Sequence, residues 1–227
     1  MKKYLYAIIP LVVILGPLAM SFDSKVNFIQ YLFPVLISTL VISAVYIFWD
    51  VLVTRAGHWR FNDEFVGKAR FLDLPLGEWL FFIGVPYACL FIYEVVVAYF
   101  GKITLFDVPF WLPYLISALS FTVAILLRNR GYSLLAFISV SVFFALSGVL
   151  QPQMLGKSEF LLYTLFCLIA FLVVNGTYTA LPTIFYNPKA FSGIRLITIP
   201  LEDFFYNTSL LGFLLLLYLE LKKGLIP

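Results

Sequence analysis

The sequence predicts an all-α integral membrane protein, with seven transmembrane helices arranged as two parallel three-helix repeats joined by a linking helix. Three observations predict it. Of 227 residues, 63% are hydrophobic and 12% charged, with a mean hydropathy of +1.01, against roughly 45–50% apolar and 25% charged in a soluble domain. Seven apolar stretches follow one another, each near the ~20 residues a bilayer span consumes, which leaves no room for a sizeable extramembrane domain. Finally, the segment around Pro75 reappears around Pro200 at a constant offset of 125 residues. A net charge of +3, scattered along the chain, speaks to topology and not to nucleic-acid binding. Two cysteines, Cys89 and Cys167, both in apolar runs, form neither a disulfide framework nor a metal site, and the single histidine, His58, is too few for a multi-histidine centre.

The expected spans, bounded by charge or by Pro and Gly, are 4–20, 28–49, 79–99, 108–127, 132–150, 160–180 and 204–221. No alternating strand pattern competes with them. The first also has the outline of a signal peptide, with Lys2 and Lys3 before the apolar run and small residues near Ala19 and Ser21. Its counterpart within the chain, Lys3 falling on Arg128 and the first span on the fifth, favours a retained helix. Residues 1–100 form the first repeat, 101–131 carry the linking span and 132–227 the second repeat. Ten basic residues fall on the amino-terminal side: Lys2, Lys3, Arg55, Arg60, Lys68, Arg70, Arg128, Arg130, Lys189 and Arg195. Five fall on the other: Lys25, Lys102, Lys157, Lys222 and Lys223. The positive-inside bias therefore expects a multi-pass protein of the plasma (inner) membrane, amino terminus in the cytoplasm and carboxyl terminus outside.

The ungapped offset pairs Thr54 with Thr179, Asn62 with Asn187, Arg70 with Arg195, Pro75 with Pro200 and Leu76 with Leu201. Conservative pairs lie between them: Asp50 with Asn175, Phe61 with Tyr186, Leu74 with Ile199, Glu78 with Asp203 and Trp79 with Phe204. Coincidence on this scale points to duplication. An offset of four helices is even, so both copies enter the membrane in the same sense and their loops share one face.

The third span opens Leu-Pro-Leu-Gly-Glu-Trp-Leu-Phe-Phe from Leu74, and the seventh Ile-Pro-Leu-Glu-Asp-Phe-Phe-Tyr-Asn from Ile199. Proline suits a first helical turn, and an acid just after it meets unpaired N–H groups and the positive end of the helix dipole. Glu78, Glu202 and Asp203 are therefore candidate catalytic acids, with plain helix starters as the alternative. Helical spacing puts Glu78 on a face with Phe81 and Phe82, and Asp203 with Tyr206 and Asn207. An acid facing rings in a dry site can protonate an alkene and hold the resulting carbocation, because ring faces attract positive charge. Trp79, Phe204 and Phe205 complete the ring set, although at 19% aromatic content rings near any residue are expected and some tryptophans suit an interfacial belt. Arg70 and Arg195 suit either pairing with a carboxylate or anchoring on the positive side. Asp50 and Asn175, ending spans two and six, serve as supporting polar groups, and Glu94, with leucine at its counterpart position 219, reads as interfacial.

Several chemistries are excluded. Span seven has no internal lysine for a retinal Schiff base, no G-x-G-x-x-G marks a dinucleotide module, and no aspartate-rich or Walker-type motif offers Mg²⁺-diphosphate binding.

At the two Pro-x-Gly/Glu-Glu/Asp segments followed by aromatics, the chain resembles the integral-membrane lycopene cyclase domain family in its tandem single-chain form, over nearly its whole length. The family pattern Pro-x-Glu-Glu-x-x-Phe-Phe falls on Pro75, Gly77, Glu78, Phe81 and Phe82, and on Pro200, Glu202, Asp203, Tyr206 and Asn207. Gly77 departs from the first acid, and Tyr206-Asn207 from the aromatic pair. The resemblance implies a lycopene β-cyclase: an isomerase that turns an acyclic carotenoid end group into a β-ionone ring, with a carotenoid drawn from the bilayer as its partner. Cofactor and metal are not required by that scheme, and other carotenoid-pathway enzymes are the implied protein partners. Two other classes remain open, a small-solute transporter with three-one-three parallel repeats and a non-catalytic carotenoid-binding subunit. Polar groups gathered at one interface and not at the midplane speak against the transporter. The charge asymmetry predicts that a carboxyl-terminal reporter active only in the cytoplasm is silent and one active only outside is functional; the reverse pattern overturns the orientation.

Overall fold

The computed structural model describes residues 4–224, so that Lys2 and Lys3 of the charge count and the last three residues of the second repeat lie outside the described residues. Eight α-helices follow in order: α1 (Leu5–Met20), α2 (Leu32–Arg55), the single turn α3 (Asp63–Val66), α4 (Leu76–Phe100), α5 (Leu112–Leu126), α6 (Gly131–Leu150), α7 (Ser158–Ala180) and α8 (Leu201–Lys223). In hydrocarbon every backbone N–H and C=O must find its partner within the chain, which is why the apolar runs become helices. Five are long and apolar enough to cross a membrane: Phe28–Arg55, where a 3₁₀ turn leads into α2, and α4, α6, α7 and α8. The other two apolar helices, α1 and α5, have 16 and 15 residues, or about 24 and 22 Å at 1.5 Å per residue, short of the ~30 Å hydrocarbon core.

The fourth expected span is corrected at its start. Helix α5 begins at Leu112 and not at Val108. Pro109 biases Val108 away from helical conformation, while Pro113 lies in the first turn of α5, where its missing N–H costs nothing. Helices α4 and α8 each begin three residues earlier than expected, immediately after Pro75 and Pro200.

Short strands, which the sequence did not suggest, organise both long loops. Strands β2 (Arg70–Phe71) and β3 (Leu74–Pro75) form a hairpin, as do β5 (Arg195–Leu196) and β6 (Ile199–Pro200), each pairing its arginine with its proline. Leu72 and Asp73, at φ 50° and 69°, turn the first, and Ile197, at φ 59°, the second. Strand β1 (Trp59–Phe61) pairs antiparallel with β4 (Ile184–Tyr186), in a register centred on Arg60 and Phe185. These two residues are themselves 125 apart, so each strand pairs with its own counterpart, as a local two-fold axis through the pair requires.

Helix packing follows the same relation in part. Helix α1 lies on α4 and α6 on α8, α2 lies on α8 and α4 on α7, and α5 packs on α6, but α2 also lies on α4 with no comparable contact between α7 and α8 among the described residues. Close approach of α1 to α4 depends on two glycines: a Cβ at Gly77 would overlap the ring and backbone of Tyr6, and one at Gly84 would meet the Pro10 carbonyl at 2.8 Å.

Glu94, read from the sequence as interfacial, is buried inside the bundle. Its side chain is 4% exposed and accepts Lys222 Nζ at 2.6 Å and the Tyr218 hydroxyl at 2.6 Å, with the ammonium 3.6 Å from the Tyr31 ring centroid. The compensating cation sits on another helix, where no local pattern reveals it. Lys222→Met leaves a buried carboxylate unpaired and should destabilise the bundle by about 3–5 kcal/mol, read as a lower melting temperature in detergent. Adding Glu94→Gln should recover part of that loss.

Candidate active site

Pro75 and Pro200 end their hairpins in extended backbone and serve as the N-cap residues of α4 and α8, so Glu78 and Asp203 fall in the first helical turns. Each acid is met by a tyrosine from the start of a neighbouring helix. The Tyr6 hydroxyl of α1 donates to Glu78 Oε1 at 2.5 Å, and the Tyr132 hydroxyl of α6 donates to Asp203 Oδ1 at 2.6 Å. Asp203 takes two further hydrogen bonds on Oδ2, from Asn175 Nδ2 at 2.9 Å and the Tyr186 hydroxyl at 2.7 Å. Tyr186 lies in the loop strand β4. Burial first, and the neighbouring Asp203 carboxylate second, push its hydroxyl well above the ordinary tyrosine pKa, so it stays a donor. Asp50, at the end of α2, accepts the Tyr206 hydroxyl at 3.0 Å.

Glu78, Asp203 and Asp50 line one end of a cavity of about 340 Å³, within the ~300–1,000 Å³ usual for ligand pockets. From Glu78 the cavity follows α4 past Phe81, Phe82, Val85, Ala88 and Cys89 to Ile92, a run of about 21 Å at 1.5 Å per residue. Beyond the carboxylates its walls are almost wholly apolar, with Val13 and Pro17 from α1 and Cys167, Ala170, Phe171 and Val174 from α7. The arrangement is a narrow apolar slot with acids and tyrosines at one end.

The cavity thus brings together Glu78, Asp203, Asp50, Phe81, Phe82, Asn175, Tyr206 and Asn207 from among the residues singled out in the sequence. Others lie outside its lining. Glu202 turns away: its Oε1 accepts Ser133 Oγ at 2.5 Å and the Ser192 N–H at 2.7 Å, and its Oε2 is buried with no partner among the described residues. The Trp79 indole N–H donates to the Phe71 carbonyl, Phe204 packs on Phe171, and Phe205 packs on Phe137 at 4.2 Å between centroids. Neither arginine reaches an acid of the site. Arg70 binds Asp63 and the Gly67 carbonyl, while Arg195 binds the Thr198 carbonyl and lies over the Tyr186 and Phe191 rings.

Sequence reasoning missed four tyrosines that line the cavity: Tyr6, Tyr132, Tyr178 and Tyr186. A signal existed for Tyr186, which is the polar member of the Phe61 pair. Tyr6 and Tyr132 do equivalent work from positions 126 apart, one residue out of the repeat offset, so matching positions could not join them.

Chemically, the site offers an acid with one donor beside it, a second carboxyl with one donor, a third held by three donors, and ring faces around them. Charge developing in this slot would be felt strongly, because most of the lining beyond the carboxyl end is apolar.

A family model described as lycopene cyclase matches residues 3–96 and 129–221. Neither the curated proteins nor the solved structures yield a match to the chain.

Proposed function

Because the chain belongs to the lycopene cyclase family, we propose that it converts acyclic carotenoid end groups into β-ionone rings by acid catalysis without a cofactor. The observation that supports this best is the meeting of three carboxyl groups, Glu78, Asp203 and Asp50, at one end of an apolar slot. On this reading all seven apolar helices cross the membrane, α1 and α5 being the short ones, and the two repeats run parallel. The acids then lie toward the cytoplasmic face of the plasma membrane, with the carotenoid reaching them from the bilayer.

Glu78 delivers a proton to the terminal double bond and leaves a tertiary cation. The internal double bond attacks that cation, closes a six-membered ring and moves the positive charge onto a ring carbon. Loss of the adjacent proton leaves the ring alkene, so one proton enters, one leaves and the oxidation level is unchanged. Asp203, whose charge is spread over three hydrogen-bond donors, is the counter-ion for the cation. Asp50, with one donor, takes the departing proton. Phe81, Phe82, Tyr178 and Tyr206 offer ring faces to the positive charge, and the apolar wall keeps water from trapping the cation as an alcohol.

The test is pigment analysis in a lycopene-accumulating host. Glu78→Gln keeps the shape and removes the acid, and should lower ring formation about 10²–10⁴-fold at an unchanged level of protein in the membrane. Asp203→Asn should lower it as well. Glu202→Gln, outside the cavity lining, should retain ring formation while lowering thermal stability. Full activity in Glu78→Gln would remove the acid assignment.

A further inference from the structure

Two repeats related by a constant offset would be expected to build two equivalent slots, one on each side of the bundle. The polar end of the cavity is shared by the two copies, since Glu78 and Asp203, Asp50 and Asn175, and Phe81 and Tyr206 all line it, but its apolar arm extends to one side only. That arm lies where α1 and α7 flank α4, with Leu210 and Leu211 of α8 beside it, and the repeat-related position lies where α6 and α2 flank α8. Stepping 125 residues from five positions of that arm shows what differs. Ala88 of the slot corresponds to Phe213, Cys89 to Leu214, Val174 to Trp49, Ala170 to Val45 and Cys167 to Ile42. These five counterparts are larger, while Ile92 corresponds to Leu217, of equal size, and Phe82, at the polar end, to the smaller Asn207.

Apart from Val45, which is exposed, those larger side chains belong to the packed core. Trp49 stacks on Tyr46 at 5.4 Å between centroids, Tyr206 meets both rings at 5.0 Å, and Phe213 meets Phe143 edge-on at 5.8 Å. The Tyr46 hydroxyl is tied to Ser209 at 2.7 Å and Ser139 at 3.0 Å. Tyr46, Phe143 and Leu214 are almost fully buried, and Tyr46, Trp49, Phe143, Phe213 and Leu214 are all absent from the cavity wall.

We propose that the chain holds a single site for one end of a linear polyene, and that the side-chain sizes at positions 88, 89 and 174 against 213, 214 and 49 decide which of the two repeat-related positions is open. The proposal rests on the cyclase reading for the identity of the polyene. A tail lying along α4 between α1 and α7 keeps the far end group remote from the carboxyls. Only one end reacts per binding event, and a two-ring product requires release and reversed reinsertion.

The full chain is purified in detergent and titrated with lycopene, with bound pigment read by absorption, while the same variants are scored for rings in lycopene-accumulating cells. Wild type should bind one lycopene per chain. Ala88→Phe and Val174→Trp, which install the residues of the closed side, should each lower affinity about tenfold or more, the cost of overfilling a packed site. Phe213→Ala alone, with Leu214 and Trp49 still filling the closed side, should leave binding and ring formation unchanged. Cys89→Leu is the milder filling variant should the larger ones fail to accumulate, and should weaken binding in the same direction. In cells a one-ring product should rise early and decline as the two-ring product appears.

Two lycopenes per chain, none, or unchanged affinity in every filled variant that accumulates would overturn the single site. One lycopene per chain, lost on filling the slot but never cyclised by wild type, would keep the single site and remove the cyclase reading. Ring formation undiminished in those filled variants would do the reverse.

Discussion

A carboxyl group placed at the start of a helix inside an apolar bundle must be given partners, and the rest of this molecule is arranged around that requirement. Leaving such a group without donors costs several kcal/mol, more than any one helix contact returns. Here Tyr6 and Tyr132 supply the donors, and each comes from a different helix from the acid it serves. The hydrogen bond to the site is therefore also what registers α1 on α4 and α6 on α8. Gly77 belongs to the same constraint. A Cβ there would occupy the place of Tyr6, so the first repeat has glycine where the second has Glu202, and tyrosine packing replaces the additional acid.

The duplicated arginines and prolines gain a structural meaning that the repeat alone did not supply. Arg70 faces Pro75, and Arg195 faces Pro200, as cross-strand partners in two-residue strands. Each hairpin delivers the chain to its helix in extended backbone, so that the first turn starts directly after the proline and the acid arrives three residues later. The spacing from arginine to proline to acid is thus a folding device, and the arginines' distance from the carboxyls agrees with it: their guanidinium groups are spent on loop carbonyls, on Asp63 and on aromatic faces.

Most helices were legible because bilayer-length apolar runs leave few alternatives; their ends were misplaced where proline or a hairpin intervened and at the end of α2, which runs past Trp49 to Arg55. The strands escaped notice for a physical reason: two or three residues carry no usable alternation, and β1 and β4 are fixed by pairing with each other across more than a hundred residues. In the site, the first-turn acids and the rings of α4 were legible from helical spacing. Glu202 was not separable from Asp203, since adjacent positions on a helix differ by about 100° in direction and the sequence does not say which points into the bundle. Tyr6 and Tyr132 were hidden twice, once by the one-residue slip in the repeat and once by a background of abundant aromatics.

Duplication followed by divergence suits the proposed chemistry for a reason that symmetry makes plain. Ring closure by protonation needs a proton donor at one point of the end group and an anion or base at another, and two identical clusters facing one slot would offer the same group at both. The repeat positions have moved apart in this sense. Glu78 has one donor beside it, while its counterpart Asp203 has three, two of which come from Asn175, the counterpart of Asp50, and Tyr186, the counterpart of Phe61. Exchanging aspartate for asparagine at one repeat position removes one carboxyl from the site and turns the residue into a donor for another. Exchanging phenylalanine for tyrosine adds a second donor to the same anion. On the proposed reading, the same divergence in apolar side-chain volume closes one of two repeat-related arms, so that the unlike acids act on a single bound end group. On this view the asymmetry between the copies makes the site able to pass a proton through a substrate instead of merely binding it.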